Sequence, residues 1–504
     1  MGRAKFLFSN ALVVVRQGLL LAVFLAQGWL FGQSDTAWAK IYSGDRDDFG
    51  YDVIETQEGG FMIVGQTSSF DLDNAQIYML KIDSAGIPEW SKSFGGPRHE
   101  EARSVLQLSD GSYIMVGTTS STSDGSYDLY LLKTSPTGVF EYEFFYGGSD
   151  WDFGYDIEEL GSGKFLLAGK TYSYGNGDAD GWLMVFDENL QQVVWDTTIG
   201  TGNEEFFNSL TVTGDTLAFA AGGGSSPEKD DMDMMVARIR IDIGSDKYQI
   251  TQVEYIGDSL IEYANDVVHL GNGEVIIAGA SSDTNDLEGS LLVRLDTSFH
   301  QTWSTLFLAP PLSGIVHSIE LAGGDTLSFL SDTRFDNTNR DFYLGSVRVS
   351  DGSWLKGTTL GSGEFEQPSS LKHLKRGYIA VGSSNGFTQG PFSVIVYRTD
   401  EKFSIQNQDV QIIEDTILIT TYHYERNPNI LQIFYASNAQ QLAVKSTSKS
   451  VKEVWLYDLY GRIVGWEKTT HDFISFQPSA TGIYIAVVKQ NGEINRITFF
   501  ASCQ

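Results

Sequence analysis

The sequence predicts an all-β chain whose main body is a ring of seven four-stranded blades, a β-propeller. Three observations carry that expectation. A phrase of about 52 residues recurs seven times, plainest from Tyr51, Ala102 and Gly154 and looser from Phe207, Ala264, Val316 and Pro368. Each copy breaks into four short runs rich in Val, Ile, Tyr and Phe, separated by Gly, Asp and Ser, the pattern of strands joined by hairpins. No comparable window repeats its apolar residues at the helical period, so little helix is expected.

The second copy shows the elements in order: Arg103–Leu108, Tyr113–Gly117, Asp128–Lys133 and Val139–Tyr146, with turn signals at Ser109-Asp110-Gly111 and Ser135-Pro136-Thr137-Gly138. A glycine ends the second run at Gly65, Gly117, Gly169, Gly222, Gly279 and Gly382, with Leu330 in that place in the sixth copy. An aromatic-headed strand closes each unit, at Trp90, Tyr142, Trp195, Tyr255, Trp303 and Trp354. A seventh such strand, Trp38–Ser43, stands alone ahead of the first copy, while the last copy, Pro368 to Arg398, lacks its fourth strand. Trp38–Ser43 is therefore expected to complete the seventh blade and remove two exposed edges. An eight-bladed ring is the alternative, because two apolar runs between Asp409 and Tyr422 could form a short extra blade.

These boundaries divide the chain into a signal peptide (1–33), the propeller (34–402), a linker holding the extra hairpin (403–430) and a small C-terminal β-sandwich domain (431–504). Arg3, Lys5 and Arg16 precede the apolar run Gly18–Phe31, and small or polar residues follow it. No stretch of 18 apolar residues exists, so no transmembrane segment is expected in the mature chain. The one cysteine, Cys503, allows no intrachain disulfide, and stability must come from burial.

The C-terminal segment carries Trp455-Leu456-Tyr457-Asp458-Leu459-Tyr460-Gly461-Arg462 and then Ala480-Thr481-Gly482-Ile483-Tyr484. It resembles the type A C-terminal sorting domain of Bacteroidetes proteins exported by the type IX secretion system. Tyr457, Asp458, Gly461 and Arg462 occupy the first motif of that family, and Gly482 and Tyr484 the second. The family's opening Tyr-Pro-Asn-Pro element is replaced by Phe434-Tyr435-Ala436-Ser437-Asn438. The resemblance implies a secreted or outer-surface protein whose C-terminal domain engages the secretion machinery. The repeats also look like those of propellers in secreted proteins of such bacteria.

A formal charge of −31 argues against nucleic acid and anionic membrane as partners. Many of the acids fall in loops expected on one face, among them Asp71, Asp124, Asp178, Asp180 and Asp233. Five residues before the first aliphatic residue of each innermost strand stand Asp48, Glu100, Asp152, Glu205, Glu262, Gly314 and Glu366. Two readings of these six carboxylates stand open. Each could accept N–H groups in its own turn. Together they could form an acidic channel rim that holds a cationic ligand, calcium being the one cofactor such oxygens would suit.

Seven histidines show no metal-binding spacing, and no nucleophile elbow or phosphate loop is present. His269 and His373, at the ends of innermost strands, fill a repeat position held by Gln107 and Glu159 elsewhere. Trp151, Phe153 and Phe365 are candidate aromatics for stacking on a ligand at the channel mouth. The expected function is a non-catalytic extracellular or cell-surface propeller that binds a protein or glycan. A polysaccharide hydrolase or lyase is one alternative, and a structural or adhesive surface component the other.

Overall fold

Strand pairing closes the ring at seven. The computed structural model describes residues 37–405 except 70–73, 122–125, 190, 215, 227–230, 259–260, 283–287, 309–313, 335–339, 363 and 388–390; beyond 405 it describes strands alone. Blade one runs from inner strand Asp48–Glu55 to outer strand Pro88–Gly95, blade two from Glu100–Gln107 to Phe140–Tyr146, and blade three from Asp152–Gly161 to Gln192–Ile199. Blades four, five and six run from Phe206–Thr213 to Lys247–Ile256, Ile261–His269 to Gln301–Phe307, and Val316–Leu321 to Trp354–Leu360. Blade seven takes three strands, Glu366–His373, Tyr378–Ser384 and Ser393–Thr399, from the end of the repeats and its fourth, Trp38–Ser43, from the beginning. Among the described residues the only helical element is the 3-10 turn Ile243–Ser245.

The closing strand lies antiparallel to Ser393–Thr399, with Trp38 opposite Arg398 and Tyr42 opposite Val394. It also reaches into the neighbouring blade. Tyr42 Oη donates to the Gly86 carbonyl at 2.8 Å, and Lys40 Nζ donates to that of Ala85 at 2.6 Å. The two runs proposed as an eighth blade are not one. Gln411–Glu414 pairs in parallel with Trp38–Ser43 on the outside of blade seven, and Thr421–His423 pairs in parallel with Pro88–Gly95 on the outside of blade one. The segment after the propeller therefore covers the outer edges of the two blades that meet at the closure.

Middle strands such as Tyr113–Thr119 and Asp128–Thr134 are buried along their whole length, because each blade is covered on both faces by its neighbours. The core accordingly lies between blades. Met62 and Met79 of blade one pack with Val105, Met115 and Leu132 of blade two, and clusters of the same kind recur around the ring. Burial of this apolar surface is the main favourable term in folding.

The repeated glycine has a definite cause. Every innermost strand contains a bulge three residues after its first repeat position, between Gly50 and Asp52 in blade one and between Ala102 and Ser104 in blade two. The bulge presses a backbone carbonyl onto the second strand. A Cβ on Gly65 would lie 1.9 Å from the Phe49 carbonyl oxygen, one on Gly117 1.9 Å from that of Glu101, and one on Gly169 1.8 Å from that of Phe153. The register corrects the sixth copy: Ser331, opposite Val316, holds the glycine position, and Leu330 is the residue before it.

Beyond the propeller, strands Leu431–Ala436, Gln441–Ser446 and Phe473–Phe476 form one sheet, and Ile463–Thr469, Lys452–Asp458, Gly482–Gln490 and Glu493–Ala501 another. The second sheet sets Asp458 directly opposite Tyr484.

Because Tyr42 is buried and ties two blades, Tyr42→Ala is expected to cost about 3–5 kcal/mol, the range for buried aromatics. Urea unfolding should show a lower midpoint at unchanged slope. A variant unfolding at the wild-type midpoint would mean that the closing strand does not hold the ring.

Candidate functional site at the axial channel

The six carboxylates for which a turn-capping and a rim reading stood open, Asp48, Glu100, Asp152, Glu205, Glu262 and Glu366, are all buried. Each caps the turn that leads into its own blade. Asp48 accepts the Gly44 N–H at 2.8 Å and the hydroxyls of Thr67 and Ser69 at 2.5 and 3.0 Å. Glu100 takes the Gly96 N–H and the Thr119 hydroxyl, each at 2.8 Å. Asp152 accepts the Gly148 N–H at 2.7 Å and the hydroxyls of Thr171 and Ser173. Glu205 takes N–H and hydroxyl of Thr201, Glu262 the Asp258 N–H and Ser281 hydroxyl, and Glu366 the hydroxyls of Ser362 and Ser384. In blade six, where Gly314 stands, Asp332 supplies the carboxylate from the second strand and accepts the Ile315 N–H at 2.5 Å. A buried carboxylate needs several donors, and the turns supply them from backbone N–H groups and hydroxyls, although at Glu366 all of these reach Oε1. Two of the acids assigned to an exposed face, Asp180 and Asp233, are likewise buried at the start of third strands. Among the described residues no three His, Cys, Asp or Glu side chains gather as they would around a metal ion.

A second ring, four residues further along each inner strand, was missed by the sequence reading. Its members are Asp52, Ser104, Asp156, Ser209, Asp266, Ser318 and Ser370. Three aspartates each bridge three blades. Asp52 accepts the Ser370 hydroxyl from blade seven at 2.8 Å and the Val105 N–H of blade two at 3.1 Å. Asp156 takes Ser104 at 2.8 Å and the Leu210 N–H at 2.7 Å; Asp266 takes Ser209 at 2.8 Å and the Ile319 N–H at 2.7 Å. The Asp/Ser alternation is visible in the sequence, but its meaning depends on adjacent blades facing one another.

The bulge residues are half-buried and line the upper channel: Tyr51, Arg103, Tyr155, Asn208, Asn265, His317 and Ser369. This ring breaks the repeat. On blades one to three, Phe49 stacks on Tyr51 and Phe153 on Tyr155, at 6.2 and 6.1 Å between centroids. Between these pairs Arg103 lies 4.2 Å from the Tyr51 ring, and its Nε donates to Glu101 at 2.8 Å. Burial pushes the Tyr51 phenol up to about 12, so it stays protonated. Burial also opposes charge on Glu101, but Arg103 and His99 outweigh it and hold the carboxylate below its usual range. Blades four to six carry amides and an imidazole instead. Asn208 Nδ2 donates to Asn265 Oδ1 at 3.1 Å, and Asn265 Nδ2 to the Val316 carbonyl at 2.9 Å.

Of the predicted stacking aromatics, Trp151 is 51% exposed and meets Tyr127 and Tyr172 edge-on. Phe153 stacks on Tyr127 at 5.6 Å with Lys170 Nζ 5.4 Å from its ring. Phe365 sits across the mouth, edge-on to Phe392, which stacks on Phe49. The structure thus joins Trp151 and Phe153 into one aromatic sector and leaves Phe365 at its far edge.

The lower channel holds charge. Lys372 Nζ lies 3.0 Å from Glu320 Oε1, and the pull of Glu320, with Asp52 and Asp266, raises its pKa well above the ordinary lysine value. Lys372 therefore stands among the acids of the inner strands. His269 Nδ1 accepts the Gly271 N–H at 3.2 Å, and His373 packs on Tyr378; neither joins this cluster. Burial, reinforced by Asp156, raises Glu158 to about 8, although Lys372 opposes the shift. Asp156 itself is raised to about 7, chiefly by burial.

No family model matches the chain, and no curated protein matches it in sequence. Comparison with solved structures finds likenesses at low identity. The extracellular domain of BT4673 from B. thetaiotaomicron is 11% identical with a TM-score of 0.38, covering 92% of this chain and 57% of that one. This chain therefore spans little more than half the length of that domain. A protein from Dyadobacter fermentans is 11% identical with a TM-score of 0.40, over 71% of this chain and 97% of its own. PorZ, a surface component of the type-IX secretion system of Porphyromonas gingivalis, is 10% identical with a TM-score of 0.27, over 92% and 70%. Likenesses at this level assign no ligand, partner or location.

The raised carboxyls fix the sign of a pH dependence. Asp156, Glu158 and Glu366 keep protons in the folded chain up to about 7, 8 and 7, whereas the unfolded chain releases them near pH ~4. Folding takes up protons across that interval, so stability should fall as pH rises from 5 to 8. His269, whose pKa is lowered by burial, opposes this, and Lys92, lowered by burial to about 8, opposes it at the upper end of the interval. Thermal melts should show a lower midpoint at pH 8 than at pH 5, and Glu158→Gln should flatten the slope. A flat wild-type profile would show that these carboxyls ionise freely.

Proposed function

We propose that the chain is an exported, non-catalytic propeller that binds a glycan at the upper mouth of its channel. The observation that carries this reading is the broken symmetry of the bulge ring. Positions that serve the repeat, such as the turn carboxylates and the second-strand glycines, recur around the ring. The bulge positions do not recur: they are aromatic and cationic on blades one to three and carry amides and an imidazole on blades four to six. Sugar rings present apolar C–H faces and a rim of hydroxyls, so they suit an aromatic platform facing amides and phenols. Glu101 and Glu204, the carboxylates beside the platform, are committed to Arg103 and Lys170, which favours holding a ligand over proton transfer to it.

Trp151, the most exposed ring of the sector, is the residue to change. The full chain should retain oligosaccharides on a glycan array, and Trp151→Ala should weaken binding by about tenfold or more with an unchanged melt. Retention of no glycan, or equal binding by the variant, would overturn the reading.

Export rests on the two ends. The signal-peptide segment, 1–33, lies outside the described residues, as do Gly461 and Arg462. Tyr457 and Asp458 end one strand, Gly482 and Tyr484 begin its partner, and the register sets Asp458 opposite Tyr484, so the two sorting motifs share one end of a sheet. A sheet that gathers both motifs supports an address read by the type IX machinery. In a secretion-competent host, a chain lacking 431–504 should fold and remain in the periplasm. Its appearance in the medium or on the surface would remove the sorting role.

A further inference from the structure

We infer that the upper channel selects an acidic sugar, whose anionic group is received by Arg103; this rests on the glycan reading above. The guanidinium is held by one edge. Nε donates to Glu101 at 2.8 Å, and the Tyr51 ring lies 4.2 Å away on its face. The other edge is open: among the described residues neither Nη1 nor Nη2 has a hydrogen-bonding partner, and 37% of the side-chain surface is exposed. An arginine oriented at Nε with its Nη pair unoccupied is a preset fork, and its spacing matches two oxygens of one carboxylate or sulfate.

The surroundings agree with a sugar as the carrier of that group. The stacked pairs Phe49–Tyr51 and Phe153–Tyr155 flank Arg103 from the two neighbouring blades, so a ligand oxygen bound at the fork would bring its own ring against an aromatic face. Other cations at this mouth also lie over aromatic rings: Lys170 is 5.4 and 5.3 Å from Phe153 and Tyr172, and Arg340, 3.6 Å from Asp332, is 5.2 Å from Phe365. Glu101 and Glu204 balance Arg103 and Lys170, so the local field is modest. Selection therefore comes from the geometry of the fork, and affinity from stacking. A neutral sugar would stack equally well but leave the fork to water.

The experiment compares matched ligands on the full chain by calorimetry: an oligogalacturonate, the same oligosaccharide with its carboxyls reduced to alcohols, and a sulfated neutral galactan. The uronate or the sulfated sugar should bind at least tenfold more tightly than the reduced one, and whichever does identifies the anionic group. That advantage should vanish in Glu101→Gln/Arg103→Gln, which removes the fork without leaving an unpaired buried carboxylate, while stacking on the neutral sugar persists. Equal binding of acidic and neutral sugars would overturn the inference and leave the glycan reading standing. Binding of none of them would overturn both. A free peptide C-terminus that binds more tightly than any sugar, with the same loss in the double variant, would transfer the fork to a peptide ligand and refute this assignment. Should the double variant fail to fold, acetate and sulfate should displace the bound acidic sugar from the unaltered chain, and failure of both to compete would equally refute the fork.

Discussion

The close approach of a backbone carbonyl to a hydrogen where a Cβ would otherwise stand is the constraint on which this architecture depends. At Gly65, Gly117, Gly169, Gly222, Gly279 and Gly382 an added Cβ would sit within 2.0 Å of an inner-strand carbonyl oxygen. In these six blades glycine lets the second strand lie that close, while blade six forms its bulge with Ser331 in that place. Every inner strand thus carries a bulge at the same height, with one extra residue held out of the ladder. Those extra residues make the lining of the upper channel. The repeat thus conserves a backbone device and leaves its product, the bulge side chain, free to differ in each blade.

A ring of seven also imposes a parity problem. The aspartates at Asp52, Asp156 and Asp266 each draw a serine from the preceding blade and an N–H from the following one. Asp and Ser alternate only if the count is even. With seven blades two serines must be neighbours, and they are Ser318 and Ser370, at the junction of blades six and seven. There the ion pair of Glu320 with Lys372 joins the two blades instead. Blade six, which lacks both the turn carboxylate and the glycine of its siblings, is one partner of that junction.

The blades were legible from sequence because four strands, their turns and the second-strand glycine are local and repeat. Trp38–Ser43 was legible as the missing outer strand because it carries the same aromatic heading as the other six. The candidate site was not. Asp48, Glu100 and Asp152 recur with the period, and a recurring acid can be counted without knowing whether its oxygens face water or a turn; burial decides, and burial depends on the neighbouring blade. Trp151 and Phe153 could be named as aromatics, but their joining to Tyr127 and Tyr172 and the placing of Arg103 between two stacked pairs follow from the ring. The outer strands at Gln411–Glu414 and Thr421–His423 were legible as strands and not as edge covers, since a parallel partner more than about 320 residues earlier leaves no local mark.

The two ends of the channel solve opposite electrostatic problems. Below, Asp52, Asp156, Asp266, Glu158 and Glu320 converge where water is scarce, and such a group must recruit a cation or keep protons. This chain does both, with Lys372 as a built-in counter-charge and with Asp156 and Glu158 held up to about 7 and 8. That lower site is thereby filled by the protein's own side chains. Above, Arg103 has its partner on one edge only, and the half-buried aromatic pairs of the two neighbouring blades flank it. The lower channel spends its polar groups on holding seven blades together, and the upper one keeps a donor pair for something that is not part of the chain.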